Sequence, residues 1–247
     1  MPKRNSHKFS DLVPFMLVLG IFCAISVYLL TSFFLTIRGE MILASVLVAK
    51  APITSEANTY ADGYIFKDVK STHPNATAIL YFRDTKVIGG YKDGTFKPDN
   101  EVNRAEYLKM LIAALGGIDG DYGNCFTDVQ NEWFAPYVCY AKDEGWVKGY
   151  SDGSYKPGNS VNKAEAAKIT LEAFGYDVSD AAVKSAPFKD VPVGQWFTPY
   201  VYMASENNLL EVASGSEYHP GDPMTRAATV ELIYRAMNDM GMVKPTI

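Results

Sequence analysis

The chain has 247 residues, 48% of them hydrophobic, which is enough apolar material for a packed core of one or two domains. Residues 1–50 hold five basic and two acidic side chains, leaving 18 basic and 26 acidic ones beyond them out of totals of 23 and 28. A balance of −8 over that remainder repels polyphosphate and excludes nucleic acid as a partner.

From Leu12 to Ile37 the chain runs 26 residues without a charge, preceded by Lys3, Arg4 and Lys8. About 20 apolar residues cross a bilayer, so residues 12–37 predict a membrane-spanning helix within a 1–38 segment. The basic flank puts the N-terminus in the cytoplasm and everything after Arg38 outside. A long cleaved signal peptide is the competing reading, with Ala49-Lys50-Ala51 as a small-x-small cleavage sequence. Both readings export the rest of the chain, as a single-pass envelope protein or as a secreted, wall-bound one. Residues 39–63 read as a linker, apolar through Met41–Ala49 and polar from Pro52 onward.

Three copies of one pattern then occupy residues 64–118, 119–178 and 179–247. Each opens with Phe-x-Asp-Val (Phe66–Val69, Phe126–Val129, Phe188–Val191), at spacings of 60 and 62 residues. Trp133, Tyr137, Tyr140 and Ala141 follow at helical spacing in the second copy, with Pro136 in the first turn, and Trp196, Pro199, Tyr200 and Met203 match them in the third. Lys92-Asp93-Gly94 and Ser151-Asp152-Gly153 are tight-turn signals, followed by an aromatic-x-Pro step at Phe96/Pro98, Tyr155/Pro157 and Tyr218/Pro220.

A closing helix ends each copy. Its apolar stripe is Tyr107, Leu108, Leu111, Ile112 and Leu115 in the first, Ala167, Leu171 and Phe174 in the second, and Val230, Ile233, Tyr234 and Met237 in the third. One pair of short amphipathic helices cannot cover its own stripe, whereas three pairs around a shared axis can. The pattern therefore predicts an all-α fold of three helix–loop–helix repeats, a binding module rather than an enzyme core.

Asn103 with Glu106 and Asn162 with Glu165 have capping-box spacing, and Thr225 caps the third helix without an acidic partner. The next residue is basic each time: Arg104, Lys163 and Arg226. A cation there opposes the helix dipole by about 0.3–1 kcal/mol, so its recurrence points to a task. Two tasks fit: binding an anion together with free helix amides, or pairing with the Asp of a Phe-x-Asp-Val segment. Trp133, Trp196, Phe96, Tyr155 and Tyr218 stack on sugar rings or form core, and core is the expected role. Cys125 and Cys139 form a disulfide or stay as two buried thiols.

The order Phe-x-Asp-Val, Trp-x-x-x-Tyr, Gly-Tyr-x-Asp-Gly-x-Phe-x-Pro, Thr-Arg-Ala-Glu resembles the S-layer homology domain, most fully in Phe126–Val129, Trp133, Tyr137, Gly149–Pro157 and Asn162–Glu165. The resemblance implies a pseudo-threefold helical domain with grooves between repeats. It further implies a bacterial cell-envelope protein holding secondary cell-wall polysaccharide, commonly through pyruvylated sugars, with S-layer or other envelope proteins as further partners. The basic residue is a principal contact in that family. The candidate ligand positions are thus Arg104, Lys163, Arg226, Trp133, Trp196, Asp93, Gly94, Asp152 and Gly153, with Lys163 the best preserved. The first copy lacks the tryptophan, the third has Val212–Ser216 in place of the glycine turn, and Ala228 replaces the acidic residue.

A protein-interaction or spacer module without carbohydrate binding is the competing function. Catalysis, cofactors and metals are not expected: no nucleophile, zinc or phosphate-loop motif occurs, and Asp119, Asp121 and Asn124 lack calcium-loop order. Asn75-Ala76-Thr77 is a glycosylation sequon by pattern only.

Overall fold

A computed structural model describes residues 63–178, 188–212 and 216–243. All of them belong to the unit spanning residues 53–247. Six helices appear among them. Three opening helices, α1 (Ala76–Asp84), α3 (Ala135–Asp143) and α5 (Thr198–Glu206), alternate with closing helices α2 (Arg104–Ala114), α4 (Lys163–Ala173) and α6 (Arg226–Asp239).

The expected fold class needs correction. The first Phe-x-Asp-Val segment is a two-stranded antiparallel ribbon, β1 (Tyr64–Phe66) with β2 (Val69–Lys70), and isolated bridges join segments of different repeats, so the unit is not purely helical. No helix among the described residues is long and apolar enough to cross a membrane, and the membrane helix does not stand as part of this fold. Residues 12–37, where it was expected, lie outside the described residues, as does the linker up to residue 62.

The repeats interleave. Each opening helix packs on the closing helix of the preceding repeat: α3 on α2, α5 on α4 and, completing the circle, α1 on α6. An edge-to-face contact between Tyr81 and Tyr234, 5.3 Å between ring centres, marks the closure. The closing helices meet inside. Both α2 and α4 touch α6, and the buried Tyr107 hydroxyl reaches across to the Ala166 carbonyl (3.0 Å) and the Thr170 hydroxyl. Burial raises the Tyr107 pKa, so its hydroxyl remains a neutral donor.

Each closing helix buries most of the expected stripe, with Leu115, Phe174 and Tyr234 half-buried at its edge. Tyr107, Leu108, Leu111, Ile112, Leu171, Val230 and Ile233 are all fully covered, and burying a side chain of this size contributes about 1.5–3 kcal/mol.

Just before these helices the backbone is extended and makes a closed ring of three hydrogen bonds. The amide of Val102 donates to the Met224 carbonyl (2.9 Å), that of Met224 to Val161 (2.9 Å), and that of Val161 back to Val102 (3.0 Å). The three side chains are buried. Equivalent residues of three repeats thus satisfy one another at the pseudo-threefold axis.

Every repeat builds its turn alike. The opening Phe stacks on the turn aromatic, with 5.3–5.4 Å between centres for Phe66–Phe96, Phe126–Tyr155 and Phe188–Tyr218. The opening Asp accepts two amides from the same turn: Asp68 from Phe96 and Lys97, Asp128 from Tyr155 and Lys156, Asp190 from Tyr218 and His219. Those bonds stabilise the left-handed backbone of Lys97, Lys156 and His219 (φ 57–58°). At Gly90 and Gly149 a Cβ would collide with the Phe66 and Phe126 rings, which is why the turn begins with glycine.

Cys125 and Cys139 form a disulfide that ties the start of the second repeat to α3 across a sequence separation of 14. Closing a loop of that length restricts the unfolded chain by about 3 kcal/mol. A Cys125→Ala/Cys139→Ala variant should therefore lose about that much stability in urea denaturation, and an unchanged midpoint would show that the bridge contributes nothing.

Candidate functional site

The N-terminus of each closing helix faces the turn of the next repeat around the ring. Capping is local at the third helical residue. The Asn103 side chain accepts the Glu106 amide (2.8 Å) while Glu106 accepts the Asn103 amide (3.1 Å), and Asn162 with Glu165 repeats both bonds. Thr225 accepts the Ala228 amide (3.1 Å) with no acidic partner.

The first two amides of each helix go to carbonyls of the neighbouring repeat. Arg104 and Ala105 donate to Asn159 and Pro157, Lys163 and Ala164 to Asp222 and Pro220, and Arg226 and Ala227 to Asn100 and Pro98, at 2.9–3.1 Å. The amides that an anion would need are thus occupied. The carbonyls place negative dipole at the helix end and offset the unfavourable position of the cation.

The cations also reach across. Arg104 donates Nε to the Tyr155 carbonyl (3.1 Å) and Nη1 to Glu165 (2.8 Å), with its guanidinium 4.4 Å from the Tyr155 ring centre. Lys163 donates to the Tyr218 carbonyl (3.2 Å) and lies 3.5 Å from Asp222. Arg226 donates Nε to the Phe96 carbonyl (3.0 Å) and Nη2 to that of Gly89 (3.4 Å). None of the three pairs with a Phe-x-Asp-Val carboxylate, because Asp68, Asp128 and Asp190 are bound to turn amides.

The aromatic residues divide into two groups. Phe96, Tyr155 and Tyr218 are core, whereas Trp133 and Trp196 are 56% and 55% exposed and do not take the core role that was the first of their two readings. Pro136 and Pro199 sit in the first turns of α3 and α5, so these helices begin after the tryptophans and leave them outside the apolar face. Trp133 has the Lys109 ammonium 5.1 Å from its ring centre.

Sequence reasoning missed Tyr91 and Tyr150, exposed beside the cations: Arg104 is 5.6 Å and Lys156 4.1 Å from the Tyr150 ring centre. Their position after the turn glycine was the available signal. A shallow cleft of about 500 Å³ opens beside Tyr150, bounded also by Phe126, Lys142 and Gly153.

Asp93, Gly94, Asp152 and Gly153 shape these turns. Asp93 accepts the amide and hydroxyl of Thr95, and Asp152 those of Ser154, bonds that hold both carboxyls below their ordinary pKa. The Gly94 and Gly153 carbonyls accept the amides of Lys67 and Thr127. In the third repeat Ser216 accepts from Lys189, so that link survives where the glycine turn is absent from the sequence.

Asn75 of the sequon is buried and donates to Glu211 (2.5 Å), so its side chain is engaged within the fold. Among the described residues no group of three His, Cys, Asp or Glu could hold a metal ion.

Two outcomes test this site. Glu165→Gln keeps the capping geometry but removes the charge opposite the buried Arg104, and should cost about 3 kcal/mol in denaturation. Asp222→Asn, at a 58% exposed carboxylate, should stay within about 1 kcal/mol.

For Asp190, burial raises the pKa, but the amides of Tyr218 and His219 outweigh it and hold the folded value below the ordinary one. Such a depressed group contributes stability above about pH 4, the unfolded value, that is lost as pH falls through the folded value. Thermal denaturation between pH 6 and 2.5 should show this acid loss, and Asp190→Asn should flatten it.

The S-layer homology domain family profile matches residues 65–108, 126–167 and 187–229, one match per repeat. The S-layer protein sap of Bacillus anthracis is 25% identical over 83% of this chain and 24% of its own length. A cellulosome-anchoring protein of Acetivibrio thermocellus is 32% identical over 62% of this chain and 35% of its own. The middle cell wall protein of Brevibacillus brevis is 31% identical over 61% and 13%. The chain thus spans only about a third or less of these relatives. With its three matches covering just over half of its residues, the chain belongs to the S-layer homology domain family.

Proposed function

We propose that this chain is a non-catalytic anchoring module of the bacterial cell envelope that holds secondary cell-wall polysaccharide by carboxylate-bearing, pyruvylated sugars. The observation that carries this reading is a cation at the start of each closing helix, reaching into the next repeat beside aromatic rings. Arg226 uses two of its five N–H donors on carbonyls, and Lys163 uses one of three on the Tyr218 carbonyl and a second, at 3.5 Å, on the exposed Asp222, so each keeps at least one donor for a ligand carboxylate. The exposed Trp133 and Trp196 offer apolar faces to sugar rings. The names of the relatives, an S-layer protein and a cellulosome-anchoring protein among them, support a role in holding material at the wall. The net negative charge of residues 51–247 repels acidic polymer elsewhere and confines attraction to these junctions.

Co-sedimentation with purified wall polymer, before and after removal of its pyruvyl groups, tests the reading. Binding to the intact polymer should fall at least about tenfold on depyruvylation, the value of one charge-assisted contact, and should weaken as salt is raised. Equal binding to both polymers would reject carboxylate recognition. Absence of binding to either would leave the repeats as a protein-interaction or spacer module.

A further inference from the structure

The three junctions carry the same kind of cation but differ in what neutralises it. Where repeat 1 meets repeat 2, Arg104 is paired with Glu165 at 2.8 Å, and Lys156 faces Asp152 at 3.8 Å. Where repeat 2 meets repeat 3, Lys163 faces Asp222 at 3.5 Å. The place of Lys156 is taken there by His219, which stands between Asp190 and Glu217 at 3.8 and 3.6 Å.

The closing junction, repeat 3 to repeat 1, is different. Its cations are Arg226 and Lys97, with Lys67 donating to the Asp93 carbonyl (2.7 Å) on the same turn. Lys97 lies 4.2 Å and Arg226 5.1 Å from the ring centre of Tyr91, which is 40% exposed. Among the described residues, none of these three cations has a carboxylate within the 4.0 Å of an ion pair. Two acidic groups belong to the neighbourhood. Glu106 occupies the place that Glu165 holds at the first junction and accepts the Asn103 amide without pairing with Arg226, and Asp93, bound to Thr95, attracts Lys97 and Lys67 only from beyond ion-pair distance.

A ligand carboxylate arriving at Arg104 must compete with a carboxylate already seated in a nearly buried pair. One arriving at Lys163 enters a field made negative by Asp222, Asp190 and Glu217. At Arg226 it meets a guanidinium that contacts neutral carbonyls and rings, flanked by Lys97 and Lys67, which Asp93 attracts only from beyond ion-pair distance. We infer that the anionic sugar is taken preferentially at the junction closing repeat 3 onto repeat 1, by Arg226 with Lys97 and Lys67 around Tyr91. This rests on the proposed recognition of carboxylate-bearing sugar and reverses the order suggested by motif preservation, in which Lys163 ranks first.

Titration of the full chain with pyruvylated wall polymer tests it, with folding of each variant checked by thermal denaturation. Arg226→Gln should weaken binding at least about tenfold, a clearly larger loss than the one Lys163→Gln causes. Should Arg226→Gln fail to fold, Lys97→Gln/Lys67→Gln at the surface of the same junction should still weaken binding at least about threefold. Equal losses at Arg226 and Lys163, or a larger loss at Lys163, would overturn the inference and leave the carboxylate-binding function standing. Failure of the unaltered chain to bind the polymer would overturn both.

Discussion

Val102, Val161 and Met224 donate and accept in a circle of three backbone hydrogen bonds, and no repeat can complete that circle by itself. Each of these residues sits one step ahead of a helix cap, so the ring sets where the three closing helices start and how they converge. An unpaired amide or carbonyl buried at that point would cost about 1–3 kcal/mol, which disfavours any arrangement with a repeat missing. The apolar stripes of α2, α4 and α6 need the same closure, because the opening helix that covers each comes from a different repeat. Ring and stripe therefore both call for three repeats.

The same closure decides what the basic residues can do. A helix start carrying a cation looks unfavourable when the helix is considered alone. Carbonyls of the neighbouring turn, two for the amides and at least one for the side chain, make it acceptable. The cation is then both a staple between repeats and a group presented at their seam. Glu165 shifts the balance toward the staple for Arg104. Ala228 offers Lys163 no such partner, and Glu106 makes no ion pair with Arg226. Three seams of one design thereby acquire different electrostatic character from a few side chains.

Much of this was legible in the sequence because the signals are local. Caps, closing stripes and turn glycines each have a reason within a few residues, and the capping boxes at Asn103 and Asn162 follow directly from spacing. What was not legible is tertiary. The occupants of the helix amides are carbonyls more than 50 residues away, and nothing in Pro157 or Asn159 announces that task. The ribbon of Tyr64–Phe66 with Val69–Lys70 is too short to show alternation, so the fold was read as all-helical. The exposure of Trp133 was not legible because its spacing to Tyr137 continues a helical pattern that Pro136, in the first turn of α3, shows to begin later. The repetition of motifs hid the differences among seams, which depend on which repeat faces which.

The interleaving of α1 with α6 has a mechanical side. The first and last stretches of the described chain, β1 leading to α1 and α6 leading to Val243, belong to elements that pack directly on one another. Tension between those two stretches would load that contact first, while the seams formed by α2 with α3 and α4 with α5 would be shielded behind it. A polymer held across the Arg226 seam would bridge the same line of weakness. Attachment would then act as a clasp, resisting under pull the opening that would release it.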